Sequence, residues 1–193
     1  MKKMWNNIRM FLWMTFLTGI IYPLFITAIA QLTMKQKADG DFLSSKGKMV
    51  GATLIAQKFE SDKYFWARPS SIDYNPLPSG GSNFGPISAA LKKAVEERQE
   101  KILKIHRVDK DKIPAELLFS SGSGLDPHIS ASTAYFQIER VAKSRGIDSK
   151  DIKSLVDNIT IKRGWGFLGE SCINVLLLNK ALDELPQNTS NSR

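Results

Sequence analysis

Between Arg9 and Lys35 the chain runs MFLWMTFLTGIIYPLFITAIAQLTM without a charge. A helix needs about 20 apolar residues to cross a hydrocarbon core of about 30 Å, and this run is longer. It predicts a membrane-spanning helix over residues 10–34, behind a short basic tail at 1–9. Pro23 is tolerated in such a helix, and Thr15, Thr18, Thr27 and Gly19 suit packing against another membrane helix. A cleaved signal peptide is the rival reading, because Ala28-Ile29-Ala30 fits a cleavage site and would give a mature start at Gln31. The run nevertheless exceeds an apolar signal region of about 7–15 residues. Lys2, Lys3 and Arg9 on one side nearly balance Lys35, Lys37, Lys46 and Lys48 on the other, so charge alone leaves the orientation open.

After the run, apolar positions recur in short blocks. Residues 49–59 read as a strand or the start of a helix, and Tyr64, Phe65 and Trp66 as core anchors. Residues 68–86 hold prolines and glycines that exclude a regular helix or a central strand. Pro86 suits a first helical turn. Ile87, Ala90, Leu91, Ala94, Val95, Ile102 and Ile105 follow at helical spacing, which predicts an amphipathic helix of about 20 residues. A second tight loop follows Pro114, ending near His128. Ser130 is placed to cap a helix that buries Ala134, Ile138, Val141 and Ala142 and ends at Gly146. Asp148 or Ser149 caps another, with Ile152, Leu155, Val156 and Ile159 inward. In 173–185 the spacing of Val175, Leu178, Leu182 and Leu185 favours a helix, and the polar tail 186–193 reads as frayed. The pattern therefore implies an α+β protein, mainly helical: one N-terminal transmembrane helix followed by a single soluble domain at 35–185.

The chain has 193 residues and a formal net charge of +8. Its basic residues are interleaved with acids, notably over 92–104, and no basic–aromatic module appears. Nucleic-acid binding is therefore not expected. Cys172 is a single cysteine, so no internal disulfide forms.

Four patterns resemble chemistry. Gly164, Gly166 and Gly169 form a G-x-G-x-x-G string, but too little chain follows to complete a dinucleotide fold. Ser79, Gly80, Gly81, Ser82 and Asn83 could cradle an anion through exposed N–H groups, and this loop is the one candidate nucleotide site. Ser121, Gly122, Ser123, Gly124, Leu125, Asp126, Pro127 and His128 contain the residue types of a nucleophile triad, without a nucleophile elbow. They read better as a structural or partner-facing turn. His106, His128 and Cys172 show no ligand spacing, so no metal is expected.

These last stretches carry a family resemblance. Tyr64-Phe65 and Arg68-Pro69-Ser70 are followed by the Ser79–Pro86 string SGGSNFGP, then by SGSGLDPHIS from Ser121. Gln137, Arg140-Val141-Ala142, Leu168-Gly169-Glu170 and the Asn174–Asn179 string NVLLLN complete it. Together they resemble the C subunit of Kdp-type potassium-transporting ATPases, with Phe84 and Lys180 as small departures. The resemblance implies a non-catalytic subunit in the inner or plasma membrane, with a cytoplasmic amino terminus and the domain periplasmic or extracellular. Its implied partners are a channel-like K⁺-translocating subunit and a P-type ATPase subunit, which it assembles and stabilises. It also implies a catalytic-chaperone role that raises the ATPase subunit's affinity for ATP, the chain having no cofactor of its own. The physical expectation is a domain packed on the outer K⁺ entrance. An anchored hydrolase or a secreted binding protein is the alternative.

Overall fold

The computed structural model describes residues 2–45 and 47–185; the tail expected at 186–193 lies outside them. The chain forms two compact units, Met1–Ala52 and Thr53–Arg193.

In the first unit, α1 (Lys2–Phe16) passes through a π-helical turn, Leu17–Ile21, into α2 (Tyr22–Thr33). The widened turn lies just ahead of Pro23, whose ring cannot follow a regular turn and which has no N–H to donate. Tyr22 N–H reaches back to Leu17 O instead. The continuous helix Lys2–Thr33 has 32 residues and is long and apolar enough to cross a membrane. Residues 2–9 are therefore helical as well. Thr18 and Thr27 donate to Met14 O and Pro23 O of their own helix, at 2.7 and 2.8 Å. Their hydroxyls are satisfied locally and do not require the neighbouring helix suggested by their polarity. A short helix α3 (Lys35–Ala38) precedes an antiparallel hairpin of β1 (Phe42–Ser45) and β2 (Lys48–Ala52). The strand expected within 49–59 thus occupies only its beginning.

The second unit is built on α5 (Ala131–Arg145), α6 (Ser149–Ile159) and α7 (Val175–Glu184). They pack with an antiparallel pair, β3 (His128–Ser130) and β4 (Cys172–Asn174), in which Ile129 faces Ile173. Each strand runs directly into a helix, β3 into α5 and β4 into α7. The caps are side chains at the junctions: Ser130 accepts from Thr133 N–H, Asp148 from Lys150 N–H and Asn174 from Leu177 N–H. Gly146 ends α5 as expected. Phe65, Ala134, Val141, Ile152, Val156, Ile173, Leu178 and Leu182 fill the core.

α4 (Ala89–His106) helps form a second cluster, in which Ile102 packs with Ile113, Leu117 and Leu118. It starts three residues after Pro86. Ser88 N–H closes a turn onto Gly85 O at 3.0 Å, which leaves Pro86 and Ile87 at the turn's centre. Proline suits that position as well as it suits a first helical turn, so the helix signal was ambiguous here. Ile87 is fully exposed rather than inward.

Candidate functional site

Residues 53–88 contain no helix or strand, so their buried backbone groups must find partners elsewhere. Two carboxamides supply them at the centre. Phe65 N–H donates to Asn179 Oδ1 at 2.8 Å, and Asn179 Nδ2 donates to Phe65 O at 2.9 Å. Trp66 N–H donates to Gln137 Oε1 at 2.8 Å, and Gln137 Nε2 donates to Trp66 O at 3.1 Å. Side chains of α7 and α5 thus imitate neighbouring strands for two successive residues. Arg140 extends the network. It donates to Gln137 Oε1 and Asp62 O, both at 2.7 Å, and its guanidinium lies 3.9 Å from the Trp66 ring centre. Its Nε also donates to His106 Nε2 at 3.2 Å. Burial and the Arg140 charge push His106 down to about 4, and burial brings Arg140 down to about 10. His106 is therefore neutral near pH 7, carries its proton on Nδ1 and stacks on Phe136 at 4.5 Å.

This clamp fixes where the irregular segment leaves the core, and so where its loop lies. The two loops singled out in the sequence meet there. A Cβ on Gly81 would stand 2.8 Å from Gly122 O. One on Gly124 would stand 2.6 Å from Ile72 and 2.9 Å from Gly80 O, at a φ of +70°. Only glycine allows backbones to come so close. The 121–128 loop is a hub beyond that contact. Ser121 N–H donates to Pro69 O, Ala56 N–H to Leu125 O, and Val175 N–H to Pro127 O. Asp126 accepts from Arg68 Nη1 at 3.2 Å and from His128 N–H at 3.0 Å. Ser123 Oγ accepts from Leu125 N–H within its own turn.

Neither Ser121 nor Ser123 bonds to His128 among the described residues, and His128 opens β3, three residues ahead of α5. The triad composition of this loop is a set of turn caps, the Arg68–Asp126 ion pair and a looser approach of His128 Nδ1 to Asp126 Oδ1 at 3.7 Å. Ser130 N–H and Oγ both donate to Glu116 at 2.9 Å. Burial works against that carboxylate's charge, but the bonds from Thr133 and Ser130 outweigh it and hold the pKa below the ordinary value. Among the described residues no cluster of metal ligands occurs.

If the glycine contact holds the loops together, its two glycines differ sharply. Gly81→Ala should lower stability by about 1–3 kcal/mol, whereas Gly80→Ala, whose Cβ meets nothing within 4 Å, should stay within about 0.5 kcal/mol of wild type. Urea unfolding of the detergent-solubilised chain measures both. Equal midpoints for the two variants would show that the loops do not press on each other.

Beside the paired loops lies a groove of about 610 Å³ against α4, lined by Ser70, Ser71, Gly81, Ser82, Phe84, Leu91, Ala94, Arg98, Phe119 and Ser120. Arg98 donates to Leu118 O at 2.7 Å and is the one cation in its wall. Phe84 in this wall is 47% exposed, and Leu77 at 80% and Ile87 at 100% are exposed in the same irregular stretch of chain. Sequence reasoning named both loops but not their contact, nor Arg68 as the partner of Asp126 and Asn179 as the partner of the Phe65 backbone. Glycines recurring in both loops were the available signal for a close approach.

The same stretches carry the comparison with known proteins. A family described as "KdpC: K+-transporting ATPase, c chain" matches residues 4–184. The chain belongs to this family. A potassium-transporting ATPase KdpC subunit of Geobacter sulfurreducens is 47% identical over 189 residues, covering 96% of this chain and 99% of the relative. The corresponding subunit of Dechloromonas aromatica is 45% identical over 181 residues, covering 92% and 95%. That of Paraburkholderia phytofirmans is 46% identical over 176 residues, covering 89% and 91%. The family match takes in both glycine loops, the carboxamide clamp and the N-terminal helix from residue 4 onward, so the site described here lies wholly within the matched KdpC region.

Proposed function

We propose that this KdpC-family chain is a non-catalytic subunit of a potassium-transporting ATPase, and that its loop face is the surface by which it holds the assembly together. The single observation that carries this reading is the pairing of the glycine loops. Their glycine backbones abut and Arg68 pairs with Asp126 of the second loop, while Leu77, Phe84 and Ile87 stay exposed on either side of residues 79–83. A rigid face with exposed aliphatic and aromatic anchors suits docking better than bond-making chemistry. In this reading Lys2–Thr33 is a single span with its amino terminus in the cytoplasm. The domain lies outside the cytoplasm, at the K⁺ entrance of a channel-like subunit, and steadies that subunit's union with the ATP-hydrolysing one.

The resemblance also implies help with ATP affinity, and the Ser79, Gly80, Gly81, Ser82, Asn83 loop was its candidate seat. The groove has the volume of a small-molecule site. Its residues suit a nucleotide poorly. One arginine would face a triphosphate, and the carbonyl oxygen of Gly122, which repels an anion, abuts Gly81. Any effect on ATP affinity is then better carried by assembly than by nucleotide held in this loop.

The test is recovery of partners from mildly solubilised membranes by a tag after Arg193, read by mass spectrometry. Wild type should bring down a channel-like protein and a P-type ATPase together. Phe84→Glu with Ile87→Glu should reduce both by roughly tenfold or more, the loss of two interface anchors, at unchanged abundance of the chain. Undiminished recovery by the double variant would refute the loop face as the docking surface.

A further inference from the structure

The G-x-G-x-x-G string at 164–169 has no part in the site described above, yet it exposes three large apolar side chains, Trp165, Phe167 and Leu168. Ile161 pairs with Cys172 and Gly164 with Leu168, which makes 161–172 a narrow β-arm. Its tip is closed by reciprocal bonds between Gly164 and Leu168, both 2.9 Å, and by Gly166 N–H to Arg163 O and Phe167 N–H to Gly164 O. Trp165 is 88% exposed, Phe167 70% and Leu168 51%. Trp165 holds a φ of +50°, which a bulky residue adopts at a cost. An ordered turn that maintains strain to hold an indole in solvent has a use for that indole.

We propose that this arm is a second membrane contact, inserting Trp165, Phe167 and Leu168 into the interface of a bilayer containing anionic lipid. Three features select a lipid surface over a protein partner. Tryptophan with aliphatic and aromatic neighbours is the composition that settles at the headgroup level. Lys162 and Arg163 lie at the base of the tip, where the phosphates of an anionic surface would stand; Glu170 is the one acid in the arm. Gly164 and Leu168 bond each other through both N–H and C=O, and the N–H groups of Gly166 and Phe167 are paired within the tip, which lowers the cost of entering an apolar environment. The inference rests on reading Lys2–Thr33 as a span. That anchor keeps the domain at the bilayer, so even a weak second contact forms at high effective concentration.

The experiment uses the full chain carrying Cys172→Ser and a nitroxide on Phe167→Cys, with a second labelled variant at Leu24→Cys in the span. Each is reconstituted into vesicles of phosphatidylcholine, with or without about 30% phosphatidylglycerol. Power saturation with oxygen and with a water-soluble nickel chelate reports depth. The proposal expects the label at 167 to favour oxygen several-fold over the chelate in the anionic vesicles. Lys162→Glu with Arg163→Glu should abolish that preference. Chelate access at 167 equal to that of a water-exposed site, with the label at 24 buried in lipid, overturns the arm's role and leaves the span standing. Chelate access at 24 overturns the span reading and the arm with it. A label at 167 shielded from both reagents, and only in the assembled pump, assigns the arm to a protein partner and overturns the lipid contact.

Discussion

Replacing Gln137 and Asn179 together by leucine should leave most of the second unit unfolded. Four backbone groups, the N–H and C=O of Phe65 and of Trp66, receive their bonds from these two carboxamides. Phe65 is wholly buried and Trp66 is 8% exposed, so water cannot take over without opening the core. Each buried group left without a partner costs about 1–3 kcal/mol. Four of them rival the roughly 5–15 kcal/mol that holds a domain together. Either single change should lower stability by roughly 2–6 kcal/mol on the same reckoning. Gln137→Glu is the informative comparison. It keeps the oxygen used by Trp66 N–H and Arg140, and it loses the donor to Trp66 O, so it should cost clearly less than Gln137→Leu. Urea unfolding of the solubilised chain, followed by amide circular dichroism, reads the series. A double variant with a wild-type midpoint would mean that the clamp contributes nothing.

Acid should weaken the same network through His106. Its unfolded value is the ordinary 6.5 and its folded value is pushed down to about 4 by burial and by Arg140. Between those values the unfolded chain binds a proton that the folded chain refuses. The contribution is therefore fully present above pH 6.5 and is lost as pH falls towards 4, by on the order of 3 kcal/mol in total. The groups around the ring explain the sign. Arg140 Nε donates to the lone pair that would be protonated, while Asp62 pulls weakly the other way. Glu116 acts lower on the scale. Its folded value lies below 4.5, so its contribution is present above 4.5 and fades as pH drops further. His106→Gln keeps an acceptor for Arg140 and removes the titration. The expected result is a urea midpoint that falls between pH 7 and pH 4.5 in wild type and changes much less in the variant. Parallel curves would show that His106 is not the group responsible.

Much of the second unit was legible in the chain because the interactions concerned are local. Ser130, Asp148 and Gly146 act within a few residues of their own helix ends, and the apolar stripes of α5 and α6 repeat with the helical period. The N-terminal run announced itself by length alone. Where local signals failed, two local structures used the same residue: Pro86 fits a helix start and the centre of a turn, and the bond from Ser88 N–H to Gly85 O decides for the turn. The polar residues of the SGSGLDPH loop suggested chemistry because serine, aspartate and histidine serve turns and triads alike.

By itself, then, the sequence determined one long apolar helix, the order of the helices that follow with the caps at Ser130, Asp148 and Gly146, and membership in a family through the strings its loops carry. Tertiary structure alone decided that the two glycine loops touch, that Arg68 meets Asp126, and that Gln137 and Asn179 act as strand substitutes for Phe65 and Trp66. The partners in that clamp are 71 and 114 residues apart. A bond between a side chain and a distant backbone leaves no periodicity in the chain, because any residue can occupy the backbone end. Only the packing of α5 and α7 around the irregular segment specifies which one does.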